Sequence, residues 1–241
     1  MNNLSGPLSV DIATLNINSF SSIEDATNFI LSNGEVRSEF AVAINAEKIV
    51  RALENESVMQ VLKSASLRYA DGIPIVWAMN KKGGDGVRIP GCDLWTSLMQ
   101  RSVEYKIAVY IVGASPQVNE KVATKLQRIG VSLVGAQNGY FEDKEKVFTE
   151  IAMLKPKIVS VAMGSPAQEF FIQECRKIHP NAFYMGVGGT YDVFVGEVQR
   201  APVWMQNLHL EWSYRLLKQP SRIFRQANLF KFVWLFIRNK L

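Results

Sequence analysis

The stretch KIVSVAMGSPAQEFFIQECRKIHPNAFYMGVGG, residues 157–189, holds one complete strand, helix and strand repeat. Ile158 to Ala162 is a short, continuous apolar run, as expected of a strand covered on both faces of a parallel sheet. Met163-Gly164-Ser165 interrupts it, and Ser165 ahead of Pro166 places a capping hydroxyl before a proline at the first helical position. The spacing therefore predicts a helix over Pro166 to Ile178, followed by a second buried strand over Phe183 to Val187 that ends on Gly188-Gly189. The same alternation extends outward. Phe40 to Ile44, Ile107 to Val112 and Val131 to Val134 read as further buried strands, and Ala46 to Leu53, Cys92 to Glu104, Gln117 to Arg128 and Lys144 to Leu154 as helices. Ser115-Pro116 repeats the cap-and-proline start signal. The fold class expected is α/β, a Rossmann-like parallel-sheet core with helices on both faces. In such a sheet the ligand sits beyond the carboxyl ends of the strands, which is where short and polar residues collect: Asn45, Gly113, Gln137-Asn138-Gly139, Gly164-Ser165 and Gly188-Gly189.

The chain has 241 residues, 48% hydrophobic and 20% charged, with 27 Lys and Arg against 22 Asp and Glu. That balance excludes a disordered chain, and the length accommodates one large core with an appendage rather than two full domains. Cys92 and Cys175 are the only cysteines and His179 and His209 the only histidines, which excludes a disulfide framework, a Cys-rich zinc site and a multi-histidine centre. Met1 to Asp11 lacks the basic and apolar pattern of a signal peptide, so a cytoplasmic location is expected.

The charge is asymmetric. From Arg200 onward eight cations face the single anion Glu211, a local charge of +7, which leaves −2 for the rest of the +5 total. Such a basic end points to an anionic partner: phospholipid, nucleic acid or a phosphorylated substrate. The expected division is a core over residues 1–199 and a helical, basic appendage over 200–241, with helices at Trp204 to Leu217 and Pro220 to Leu241. The uncharged run Phe232 to Ile237 is far short of the roughly 20 residues that span a bilayer. Cations with Trp and Phe on the apolar side are expected of a helix lying in a membrane interface, the alternative being a helix docked on the core.

Several catalytic signatures are absent: the phosphate-loop, H-E-x-x-H and G-x-S-x-G patterns, a G-x-G-x-x-G after the first strand, and the Asp-x-Asp of metal-held sugar nucleotides. Phosphates would then be held by amides, helix N-termini and Arg. Asp71, in Tyr69-Ala70-Asp71-Gly72, ends an apparent strand and is a candidate general base, or the first residue of an ordinary Asp-Gly turn. Gly164, Ser165 and Gln168 belong to a strand-turn-helix whose amides suit a phosphate and whose Gln suits a sugar hydroxyl. Gly188, Gly189, Thr190 and Asp192 follow a strand where a ribose or phosphate would sit, or where a tight turn simply avoids a Cβ. Arg215, Arg222 and Arg225 are spaced to share a side of the terminal helices and to bind a diphosphate, or to form a solvated cationic face.

As an ordered set, Val42 to Lys48, Tyr69 to Gly72, Gly139-Tyr140-Phe141, Met163 to Glu169, Gly186 to Asp192, Arg200-Ala201-Pro202 and Glu211-Trp212 through Arg225 resemble the WecG/TagA/CpsF glycosyltransferases, glycosyltransferase family 26. The wording is most similar to members that move N-acetylmannosaminuronate from UDP to undecaprenyl-diphosphate-linked GlcNAc in the making of enterobacterial common antigen. The resemblance implies an inverting β-1,4 transfer at the cytoplasmic membrane face, without a metal or other cofactor. It implies a UDP-sugar donor, the lipid-linked acceptor and an anionic membrane surface as partners, with no nucleic acid and with homo-oligomerisation open. Asp71 then matches the base that takes the acceptor's 4-hydroxyl proton and Gln168 an active-site glutamine. Asn45, Gly113, Gly164, Ser165, Gly188, Gly189, Thr190 and Asp192 become the donor-binding candidates, with Arg88, Arg215, Arg222 and Arg225 at the acceptor diphosphate or in the appendage. Two positions depart from the family pattern: Ala43 where teichoic-acid members have Thr, and Ala167 where a Lys is usual. A charged donor needs a cation to read its carboxylate, for which Arg88 and Lys81-Lys82 are candidates. Three other readings stay open: a UDP-N-acetylmannosamine transferase of the same family, a nicotinamide-dependent oxidoreductase, for which the missing G-x-G-x-x-G speaks poorly, and a membrane-surface adaptor.

Overall fold

The structure is a computed structural model that describes residues 7–202, 204–205, 214 and 223–241. The described chain opens with the hairpin β1 (Ser9–Ile12) and β2 (Leu15–Asn18), then α1 (Ile23–Ile30) and a small hairpin of β3 (Leu31–Ser32) and β4 (Glu35–Val36). The alternating part follows as β5 (Phe40–Ile44), α2 (Ala46–Glu54), α3 (Glu56–Ser64), β6 (Leu67–Ala70), α4 (Ile73–Lys81), α5 (Gly91–Glu104), β7 (Val109–Gly113), α6 (Pro116–Arg128), β8 (Leu133–Gln137), α7 (Lys144–Leu154), β9 (Ile158–Ala162), α8 (Ala167–Ile178), β10 (Phe183–Gly186) and α9 (Thr190–Phe194). The C-terminal helix is α10 (Ile223–Ile237).

The expected Rossmann-like α/β architecture is present. An eight-stranded sheet runs in the order β1-β2-β6-β5-β10-β9-β7-β8, parallel from β2 to β8, with β1 as an antiparallel edge. Strands β5, β7, β9 and β10 are buried along their whole length, as the continuous apolar runs required. Tyr110, Val159, Val161 and Tyr184 pack on one face with residues of α2, α3, α4, α7 and α8. Ala41, Val109, Ile111, Phe183 and Met185 pack on the other with α1, α5 and α6. The crossover from β6 to β7 passes over β5, β10 and β9, so neighbouring strand ends diverge in the middle of the sheet and leave a crevice.

Local chemistry sets the helix starts. Asn45 caps α2 by accepting from the Lys48 backbone N–H at 2.9 Å, Ser115 caps α6 through Val118, and Asp143 caps α7 through Glu145 and Lys146. The expected Ser165 cap is corrected. Gly164 adopts φ +75°, its carbonyl accepts the Gln168 N–H at 2.9 Å, and α8 starts at Ala167 with no side-chain cap. The backbone of the turn thus closes what the hydroxyl was expected to close.

Helix α10 packs on α2 and touches α4. Phe232 is fully buried, with Leu229 and Phe236 packed against the same core, while Lys231 pairs with Glu54. Phe230, Trp234 and Ile237 remain exposed on the other side, with the Arg238 guanidinium 4.4 Å from the Trp234 ring. No helix among the described residues is long and apolar enough to cross a membrane.

Candidate active site

Strands β6, β5 and β10 are neighbours, and their carboxyl ends deliver Asp71, Asn45 and Gly188 to one crevice. Asp71 extends the ladder by one step, its N–H donating to the Ile44 carbonyl at 2.9 Å. Residues before α5 fold back alongside, Ile89 N–H donating to the Ala70 carbonyl at 2.7 Å, which brings Arg88 to Asp71. The Arg88 Nη2 stands 3.7 Å from Asp71 Oδ1, and its Nε donates to the Asp71 carbonyl at 3.3 Å. The Asp71 side chain keeps about a quarter of its surface open (26%), so it is held yet reachable. Gly91 suits this packing: a Cβ there would crowd the Tyr69 hydroxyl at 3.2 Å and touch both Ala43 Cβ and Asp71 Oδ2 at 3.7 Å.

Beneath the carboxylate lies Tyr69, fully buried, its hydroxyl without a hydrogen-bond partner among the described residues. Burial first, then the negative charges of Asp71, Cys92 and Glu169, hold its proton well above the ordinary phenol range. It is a neutral, rigid floor. Asp93 in the first turn of α5 takes both Nη atoms of Arg200, Nη2 to Oδ2 at 3.3 Å, which ties the chain beyond α9 to the rim beside Asp71.

On the opposite wall, Lys48 Nζ donates to Glu169 Oε1 at 2.7 Å, a pair almost wholly buried. The Gln168 Nε2 donates to the same oxygen at 3.2 Å, while Gln168 Oε1 accepts from the Gly188 N–H at 2.9 Å. A Cβ on Gly186 would collide with this carboxamide. Gly188 itself has φ +52°, a backbone conformation that favours glycine, with open space where a side chain would go.

The structure thus brings together Asp71, Arg88, Asn45, Gln168 and Gly188. Gly164 and Ser165 line the next strand end, where Arg51, a residue that sequence reasoning passed over, donates to the Ser165 carbonyl at 3.3 Å. Gly189 caps α9 and lies 4.0 Å from Asp192 Oδ2 by its missing Cβ, and the Thr190 hydroxyl donates to the Val187 carbonyl at 2.6 Å. Gly113 stands four strand spacings from Asp71, about 19 Å across the sheet. Its φ of +106° and the collision that a Cβ would make with the Ala162 backbone account for the glycine by packing. Lys81 and Lys82 are placed elsewhere: α4 carries them about 12 Å from its start at the crevice, where Lys81 Nζ donates to Asn239 at 2.6 Å and Lys82 Nζ to the Asp11 and Leu241 carbonyls at 2.7 Å. Arg215 and Arg222, with Glu211 and Trp212, lie outside the described residues, and Arg225 falls in the first turn of α10. Sequence reasoning quoted Lys48, Glu169 and Tyr69 within motifs but gave them no role of their own. Lys48 and Glu169 are 121 positions apart, and their only local signal is that each sits in the first turn after a strand end.

A crevice at parallel strand ends, holding a carboxylate beside an arginine and glycine-rich turns, is suited to a nucleotide-linked substrate whose chemistry needs one base. The family model described as Glycosyl transferase WecG/TagA/CpsF family matches residues 10–241, essentially the whole chain. With fold, crevice and motif order in agreement, the chain belongs to the WecG/TagA/CpsF glycosyltransferase family.

Proposed function

We propose that this glycosyltransferase moves N-acetylmannosaminuronate from its UDP donor to undecaprenyl-diphosphate-linked GlcNAc, with inversion and without a metal, at the cytoplasmic face of the membrane. The observation that carries the reading is the part-exposed Asp71 carboxylate at the end of β6, beside Arg88 and across the crevice from the Gly188 turn. In the reaction the acceptor's 4-hydroxyl oxygen forms a bond to the anomeric carbon as the bond from that carbon to the diphosphate oxygen breaks. The hydroxyl proton passes to Asp71, and the electron pair leaves with UDP. Backbone amides of the strand-end turns and the Arg88 guanidinium stabilise the charge that grows on the diphosphate. Gln168 works from the wall, by fixing the Gly188 turn against which the donor lies. The uridine end extends toward Gly164 and Ser165.

Residues 200–241 act in this reading as the appendage that brings the core to its lipid-anchored acceptor. The exposed face of Phe230, Trp234 and Ile237, flanked by Arg238 and Lys240, is apolar and cationic as an interfacial helix requires. Arg215, Arg222 and Arg225 complete the diphosphate site. One observation favours a second reading, the uncharged donor UDP-N-acetylmannosamine: Lys81 and Lys82 are occupied by the C-terminus, so of the candidate carboxylate readers Arg88 alone remains in the crevice.

The direct test of the base is Asp71→Asn. The variant should retain the parent's Tm and UDP affinity while turnover falls by roughly 10²-fold or more. Turnover near the parent's would remove Asp71 from the role.

A further inference from the structure

We infer that the buried Lys48–Glu169 ion pair is a positioning device for the donor site, acting through Gln168 on the Gly188 turn. The inference rests on the donor-binding reading above and adds two residues to it. Glu169 has no solvent exposure, and Lys48 is buried with its ammonium on Glu169 Oε1 at 2.7 Å. Withdrawing both charges from water is costly, and a pair of apolar side chains would fill the same space at equal or better stability. Stability alone therefore gives no reason for the pair. Its geometry does. Glu169 Oε1 accepts from Lys48 and from Gln168 Nε2 together, so the carboxamide can point only one way, nitrogen to Glu169 and oxygen to the Gly188 N–H. An uncharged hydrogen-bonding partner would let the amide flip, and the flip would set an NH₂ group against the Gly188 N–H. The ammonium forbids it, because Oε1 already accepts from Lys48 Nζ and so offers the Gln168 amide a lone pair and no proton.

Three further features fit this role. The Gly186 position has no room for a Cβ beside the carboxamide, so the backbone leaves the space that the Gln168 side chain fills. The Lys48 N–H is itself fixed by the Asn45 side chain, which locks the start of α2 at the same crevice. Gly188, the last member of the chain, is in the left-handed region with open space where a side chain would stand. Lys48 and Glu169 thus hold a backbone turn in the shape that meets the donor, from a depth at which neither touches it.

The test uses the full chain with both charges replaced, Lys48→Met with Glu169→Leu, beside Gln168→Leu, the triple variant and the conservative Glu169→Gln. The amide exchange rate of Gly188 in free enzyme reads the positioning, and UDP affinity reads its effect on the donor. The double variant should keep the parent's Tm within a few degrees, exchange Gly188 much faster and bind UDP about tenfold more weakly, the size of one hydrogen bond. Gln168→Leu should do the same, and the triple variant should be no worse than either, since all three changes act on one link. Glu169→Gln, which keeps an acceptor oxygen but leaves the Lys48 ammonium without a carboxylate, should lower Tm more than the double variant does and lie between it and the parent in both readouts. Parent-like Gly188 exchange in the double variant, or in Glu169→Gln and Gln168→Leu if the double variant does not fold, would overturn the inference, as would losses that add in the triple variant. Faster exchange in the double variant, together with a parent that binds no UDP at all, would leave the positioning standing and refute the donor reading instead.

Discussion

Gly186, Gly91 and Gly113 are explained by what lies where their side chains would be. At Gly186 it is the Gln168 carboxamide, at Gly91 the Tyr69 hydroxyl and Asp71, and at Gly113 the backbone of the neighbouring strand β9. Gly186 and Gly113 give different predictions. Gly186→Ala should displace Gln168 and so weaken UDP binding together with a loss of about 1–3 kcal/mol in stability, read by titration and thermal melting. Gly113→Ala forces a side chain into φ +106° and into Ala162, so it should lower Tm at least as far, and its effect on UDP should vanish once the folded fraction is corrected for. At this scale the candidate base was legible in the sequence, because Asp71 follows its strand directly and the strand end is where ligands sit. The pair behind Gln168 was not, because Lys48 and Glu169 meet only through the adjacency of β5, β10 and β9, which no local spacing encodes.

Among the elements, α10 docks on the core by one face, the alternative weighed for it, and keeps an apolar face outside. Its apolar residues are too many for one face, and the structure divides them: Leu229, Phe232 and Phe236 turn to the core, while Phe230, Trp234 and Ile237 turn outward. Phe232→Ala should therefore cost about 3–5 kcal/mol in stability, measured by denaturant unfolding. Ser at both Phe230 and Trp234 should leave the melting curve unchanged and sharply reduce sedimentation with phosphatidylglycerol vesicles. Unchanged sedimentation would take the membrane role away from that face. The buried parallel strands were readable because they lie under helices on both sides and show unbroken apolar runs. The short N-terminal hairpin was not, since β1 forms an edge whose half-exposed residues carry no such signal.

For the whole molecule, burial of acidic groups in the two packed faces makes an alkaline limit. Burial pushes the Cys175 thiol up to about 11 from its ordinary 9.0, and Tyr110, Tyr184 and Tyr191 are raised by the same cause. In the unfolded chain Cys175 releases its proton near 9.0, in the folded chain only near 11, so in that window the unfolded state holds fewer protons and stability falls as pH rises. Tm should decline from pH 9 to 11, Cys175 contributing on the order of 2 kcal/mol and the tyrosines adding above about 10, and Cys175→Ala should flatten the first part of the slope. The architecture as a whole followed from one strand-helix-strand unit repeated, and the crevice from the rule that ligands lie beyond the strands' carboxyl ends. The donor's identity follows from neither, since it depends on which cation meets a carboxylate. The measurement that reaches it is UDP release by the purified full chain given GlcNAc-diphosphate-lipid, with UDP-N-acetylmannosaminuronate or UDP-N-acetylmannosamine and EDTA throughout. Acceptor-dependent release with the uronate alone is the predicted result, and release with only the uncharged sugar, or with neither, would contradict it.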